Sequence, residues 1–168
     1  MIHPHFLYGI TIYNCTSKAN LNSLFVKQKQ CIHTLSKSSY NAHTEPLFSN
    51  HKILNLYDLI VQQKLKLMHS IYYGYCKLDF YFLLNSDAAA HRFRLRNAND
   101  FLEYRSIRAS LDRLPLFNFP KIWNNFNIDI KGIFDKIEFK TQLKYNLLDN
   151  YANFTCRKLV CNTCISIN

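Results

Sequence analysis

A chain of 168 residues, 48% hydrophobic and 15% aromatic, is long enough for one sizeable core and too rich in large apolar side chains for a disordered tail. Only three glycines and four prolines argue against a turn-rich sandwich or barrel. A net charge of +10, with an isoelectric point near 9.4, favours polyanionic partners: nucleic acid first, an anionic membrane surface second. A solvated basic face with no partner is the plain alternative.

The first element in chain order is apolar. Residues 3–13 suit a short helix beginning at Pro4, since proline is tolerated in a first turn; Gly9 weakens it. The stretch FLYGITIY inside it is too short to span a bilayer, and no basic residue precedes it, so no membrane span or export signal is expected. A polar break at 15–18 leads into a helix over 20–37. There Leu21, Leu24, Phe25, Gln28, Cys31, Ile32 and Leu35 fall on one face, Asn20 is the expected N-cap, and Lys27 and Lys29 point away. A polar linker runs to Pro46, and a helical turn, PLFSNHK, follows. Asn55 then opens a second long helix to about Tyr73. Asn55 and Asp58 have capping-box spacing, Leu56, Leu59, Ile60, Leu67, Met68 and Ile71 form a broad apolar stripe, and Gly74 ends the helix. LDFYFLL, 78–84, suits helix and strand equally.

Six of the seven arginines lie within 86–113: Arg92, Arg94, Arg96, Arg105, Arg108 and Arg113. In HRFRLRN the arginines alternate with Phe93 and Leu95, which in a strand puts three guanidinium groups on one face. Arginine forks match phosphates bidentately, whereas an edge strand paired with Asp87, Asp100 and Glu103 would explain the same pattern structurally. Residues 114–131 carry Pro115, Pro120 and Trp123, the only tryptophan, which is expected to be a core anchor rather than a stacking platform. A last helix is expected over 135–151. Phe139, Leu143, Leu147 and Tyr151 recur every fourth residue beside a parallel row of Lys136, Lys140 and Lys144. The chain closes on CRKLVCNTC. Cys156, Cys161 and Cys164 offer three zinc thiolates, but a closed structural site wants a fourth ligand; the alternative is reduced thiols and no cofactor.

No glycine-rich phosphate loop, nucleophile elbow or adjacent aspartate pair occurs in the sequence, so no catalytic residues are assigned and no enzyme activity is expected.

Several of these segments, taken in order, resemble the C-terminal part of a reverse transcriptase from non-LTR (LINE, jockey-like) retrotransposons. IHPHFLYGITIYN resembles the thumb segment of that family, and LNSLFVKQKQCIHTL the helix after it. EPLFSNHKILNLYDLIVQQKLKLMHSI, HRFRLRN, RLPLFNFPKIWNNF and EFKTQLKYNLL resemble the post-thumb elements in the same order. Departures fall at Tyr13-Asn14, where Trp-Gly is usual, at His33 for arginine, at Leu95 for threonine, and at Asn125-Phe126-Asn127 after Trp-Asn.

The resemblance implies a mainly α fold with a partial thumb-like segment (1–40), a post-thumb helical domain (41–155) with one short strand or hairpin around 91–122, and a Cys-containing tail (156–168). It implies a non-catalytic piece of an RNA-directed DNA polymerase, acting inside the cell and in the nucleus rather than the cytoplasm. The fingers and palm of the parent enzyme would lie upstream and be a partner. Lys27 and Lys29 would lie along the template–primer duplex, Arg92, Arg94, Arg96, Arg105 and Arg108 would meet RNA or DNA phosphates, and Trp123 would anchor the post-thumb domain. A self-standing basic binding or protein-interaction module, or a remnant with no selected function, are the alternatives.

Overall fold

A computed structural model describes residues 7–76, 82, 84 and 99–152. Over them the chain is mainly helical: α1 (Ile10–Tyr13), α2 (Lys18–Ser36), α3 (Thr44–Asn50), α4 (Leu56–Tyr72), a 3-10 turn (Leu111–Arg113), α5 (Pro115–Asn124), α6 (Ile128–Lys131) and α7 (Lys136–Ala152).

Local chemistry sets most of the ends. Gly9, at φ 63°, turns the chain through the left-handed region between helical Leu7 and α1, so the N-terminal helix is interrupted there. α2 begins earlier than its apolar pattern suggests. Ser17, not Asn20, is the cap: its backbone is extended, and its hydroxyl accepts the Asn20 N–H at 3.3 Å. α3 likewise starts two residues before Pro46, because a first turn has no use for the missing N–H. Asn55 caps α4 as expected, accepting the Asp58 N–H at 2.9 Å. The reciprocal half of that box is relayed: the Asn55 N–H donates to the Tyr151 hydroxyl at 3.1 Å, and that hydroxyl donates to the Asp58 carboxylate. One phenol on α7 thereby ties down the start of α4. Gly74, at φ 72°, ends α4.

The mixed segment expected around 91–122 is described only in part. Residues 91–98 lie outside the described part. Among the described residues an isolated antiparallel bridge joins Leu84 to Phe101, Leu111–Arg113 is a 3-10 turn and Pro115–Asn124 a helix. Two prolines in PLFNFPKIWN read as helix breakers, yet Pro115 occupies the first helical position and Pro120 sits inside α5. Pro120 is fully buried, so its ring fills core volume in place of the hydrogen bond it cannot donate. Asn124 supplies the pairing a neighbouring strand would have given. Its side chain accepts the Phe101 N–H at 3.0 Å and donates to the Phe101 carbonyl at 2.8 Å and to Glu103 at 2.9 Å.

The core is one apolar cluster to which α1, α2, α3, α4, α5 and α7 all contribute. Ile10, Leu21 and Ile32, from the segment expected to be thumb-like, share it with Leu65, Met68, Phe119, Trp123 and Leu143. Trp123 is 1% exposed, with its ring against Tyr72, Phe101 and Phe139 at centroid distances of 5.5, 6.3 and 6.3 Å. It is the expected anchor, and burying one such aromatic contributes about 3 kcal/mol. α4 is enclosed more completely than its apolar stripe predicts: Gln62, Lys64 and His69 are buried along with the aliphatics. The His69 Nε2–H donates to the Ile133 carbonyl at 2.8 Å, and its ring stacks on Phe139 at 4.0 Å. Burial holds its pKa below the ordinary value.

Candidate nucleic-acid interface

Among the described residues, three places carry basic side chains that bear on binding. Lys27 is exposed on α2, as expected, but Lys29 is half-buried, its ammonium 4.4 Å from the centre of the Phe25 ring. Arg105 and Arg108 are exposed in the irregular stretch before the 3-10 turn, and no described carboxylate stands within ion-pair distance of either. Arg92, Arg94 and Arg96 lie outside the described residues, as do Cys156, Cys161 and Cys164. Among the described residues no group of three or more His, Cys, Asp or Glu gathers in metal-binding range. No described helix is long and apolar enough to cross a membrane.

The third place is a groove of about 900 Å³ walled by α2, α4, α7 and the 51–54 turn. Ile32, Phe48, Leu54 and Leu59 line its apolar part. Four lysines, Lys52, Lys66, Lys140 and Lys144, also line it, and no described aspartate or glutamate does. α7 makes this arrangement by itself in part. Its four-residue repeat buries Phe139 and Leu143 completely and Leu147 and Tyr151 nearly so, which turns Lys136, Lys140 and Lys144 outward. Asp135 caps the helix, its carboxylate accepting the Ile137 and Glu138 N–H groups at 3.0 and 2.7 Å.

Lys66 is the member of the group that sequence spacing does not reveal. It sits half-buried on α4, facing Lys140 and Lys144 across the groove. Burial lowers its pKa, and the charges of Lys140 and Lys144 lower it further. The charges of Lys140 and Lys144 thus oppose that of Lys66, and a phosphate bound here would relieve the repulsion and supply acceptors. Gln28 marks the α2 wall. Its amide donates to the Leu54 carbonyl at 3.1 Å, while its Oε1 is buried without a partner among the described residues.

The structure thus joins Lys140 and Lys144 of the α7 row to Lys66 and Lys52; Lys136 lies outside the groove. Arg105, Arg108 and Lys27 do not line the groove. The one described ion pair, Lys121 with Asp112 at 3.6 Å, lies elsewhere, between α5 and the 3-10 turn. No protein-family model, curated protein or solved structure matches the chain.

Proposed function

We propose that the chain is a non-catalytic, nucleic-acid-gripping C-terminal part of a non-LTR reverse transcriptase, binding RNA or DNA through the phosphate backbone. The observation that carries the binding half is the groove lined by four lysines and no described carboxylate. A surface that merely needed solubility would mix both signs of charge; one that tracks a polyanion leaves its cations free of internal partners. The order of the sequence elements supports the reverse-transcriptase half. In that setting the chain contributes grip and positioning, and the carboxylates of polymerisation belong to the palm. Contacts of this kind are strong at low salt, weaken steeply as salt rises, and read little sequence.

The test is fluorescence anisotropy of the full chain with a labelled RNA hairpin and a DNA duplex over a salt series. The wild type is compared with Lys66→Gln/Lys140→Gln/Lys144→Gln and with Arg92→Gln/Arg94→Gln/Arg96→Gln. Each triple variant should lower the slope of log K against log salt by up to about three. Absence of binding at low salt would end the proposal. The reverse-transcriptase half has its own test: the DNA upstream of the coding region should encode a palm motif with paired aspartates.

A protein-interaction role is the second reading, favoured by the apolar side chains that line the same groove. It predicts an association insensitive to salt and no affinity for nucleic acid.

A further inference from the structure

Exposed aromatic rings stand at both ends of the α7 lysine row. At its start Phe134 is 63% exposed and Tyr75 46%. Phe134 is held from two sides: its ring meets Tyr73 edge-on at 5.2 Å and Tyr75 at 5.8 Å, and the Tyr75 hydroxyl donates to the Phe134 carbonyl at 3.4 Å. The Lys136 ammonium lies 5.9 Å from the centre of the Tyr75 ring, so cation and platform are direct neighbours. Two helical turns on, Tyr145 follows Lys144, 55% exposed, and lines the same groove as Lys140 and Lys66. At a rise of 1.5 Å per residue the row from Lys136 to Lys144 covers about 12 Å, with Tyr75 beside its start and Tyr145 one residue past its end, about 100° further around the helix on the groove side.

This layout suits one strand state better than the other. In a duplex the base faces are stacked inside, and a phosphate-tracking lysine row needs no aromatic neighbours. In a single strand the bases are free to stack on protein rings while the backbone follows the cations. Rings kept for the core would be buried, as Trp123 and Phe139 are. These three are held at the surface beside lysines.

We infer that the α7 face takes single-stranded nucleic acid, with bases stacking on Phe134, Tyr75 and Tyr145 and phosphates held by Lys136, Lys140, Lys144 and Lys66. This rests on the nucleic-acid reading above and narrows it. RNA and DNA single strands share the chemistry, and separate probes distinguish them.

The experiment measures anisotropy of the full chain with labelled oligouridylate, labelled oligothymidylate and a labelled DNA duplex at matched salt. The proteins are the wild type, Phe134→Ala/Tyr145→Ala, and Lys136→Gln/Lys140→Gln/Lys144→Gln. Circular dichroism checks each fold; both aromatic targets are exposed. The wild type should bind one or both single strands more tightly than the duplex. The aromatic variant should bind single strands about tenfold or more weaker, with an unchanged salt slope and an unchanged duplex affinity. The lysine variant should weaken on every probe with a flatter slope. Equal affinity for strand and duplex, or an aromatic variant that binds single strands like the wild type, would overturn the inference while leaving the phosphate grip standing. Failure of the wild type to bind any probe at low salt would remove both.

Discussion

The second and last helices make an instructive pair. Both are long, α2 with 19 residues and α7 with 17, and both carry lysines on the outside. α7 drives a strict column of Phe139, Leu143, Leu147 and Tyr151 into the core, the first two with no exposed surface at all. α2 buries Leu21, Gln28 and Ile32, and leaves Val26 46% and Leu35 58% exposed. Periodicity tells which face of a helix turns inward. The neighbours that close over that face set how much energy the burial yields. The lysines follow the same division. Those of α7 meet Lys66 across a groove, whereas Lys29 of α2 lies back over Phe25 of its own helix.

The largest expected effect breaks the better-packed member. Phe139→Ala removes a side chain stacked on His69 and packed near Trp123, and should cost about 3–5 kcal/mol in urea unfolding. Leu24→Ala, on a half-buried position of α2, should cost about 1 kcal/mol. Equal losses would mean that both helices are equally enclosed.

The caps give the next contrast. Tyr151→Phe removes the hydroxyl that both accepts the Asn55 N–H and donates to Asp58, and should cost about 1–2 kcal/mol. Ser17→Ala, at an exposed cap with a longer bond, should cost about 0.5–1 kcal/mol. Chemical denaturation of the two variants side by side would show whether the relay from α7 matters more than a local cap.

Lys64 provides a pH signature of the enclosed region. It is 7% exposed, and its ammonium donates to Asn118 at 2.6 Å. Burial pushes its pKa down to about 8. Because the folded state then binds fewer protons than the unfolded chain between about pH 8 and pH 10.5, stability rises with pH across that window. Lys64→Met should remove most of that rise, leaving the part that Lys66, whose pKa is also lowered, contributes. It should also gain on the order of 1 kcal/mol at neutral pH once solvent screening is allowed for. Unfolding curves at pH 7, 8, 9 and 10 that run parallel for the two proteins would contradict this account.

The smallest effect on stability belongs to the interface itself. Lys140→Gln/Lys144→Gln should change unfolding by less than about 0.5 kcal/mol, since both side chains are exposed and neither pairs with a described acid. The same variant should flatten the salt dependence of nucleic-acid binding by up to about two charges. A large loss of stability instead would assign those lysines to the fold.

Several features of the molecule were determined within a few residues of sequence. The four-residue column of α7, the Asn55 cap, the Gly74 stop and the burial of Trp123 all follow from spacing, capping chemistry and side-chain size, which act over one or two helical turns. The start of α2 was legible in principle, since Ser17 is an ordinary cap; the apolar pattern simply begins later than the helix does. The helix over Pro115–Asn124 was hidden because Pro120 argues locally against it, and only the enclosure of Pro120 by the core outweighs that preference. The pairing of Asn124 with Phe101, the hold of Tyr151 on Asp58, and the meeting of Lys66 with Lys140 and Lys144 belong to the tertiary structure alone. Each joins residues far apart in the chain. Which long-range groups meet is decided by how helices pack, and no local signal carries that information.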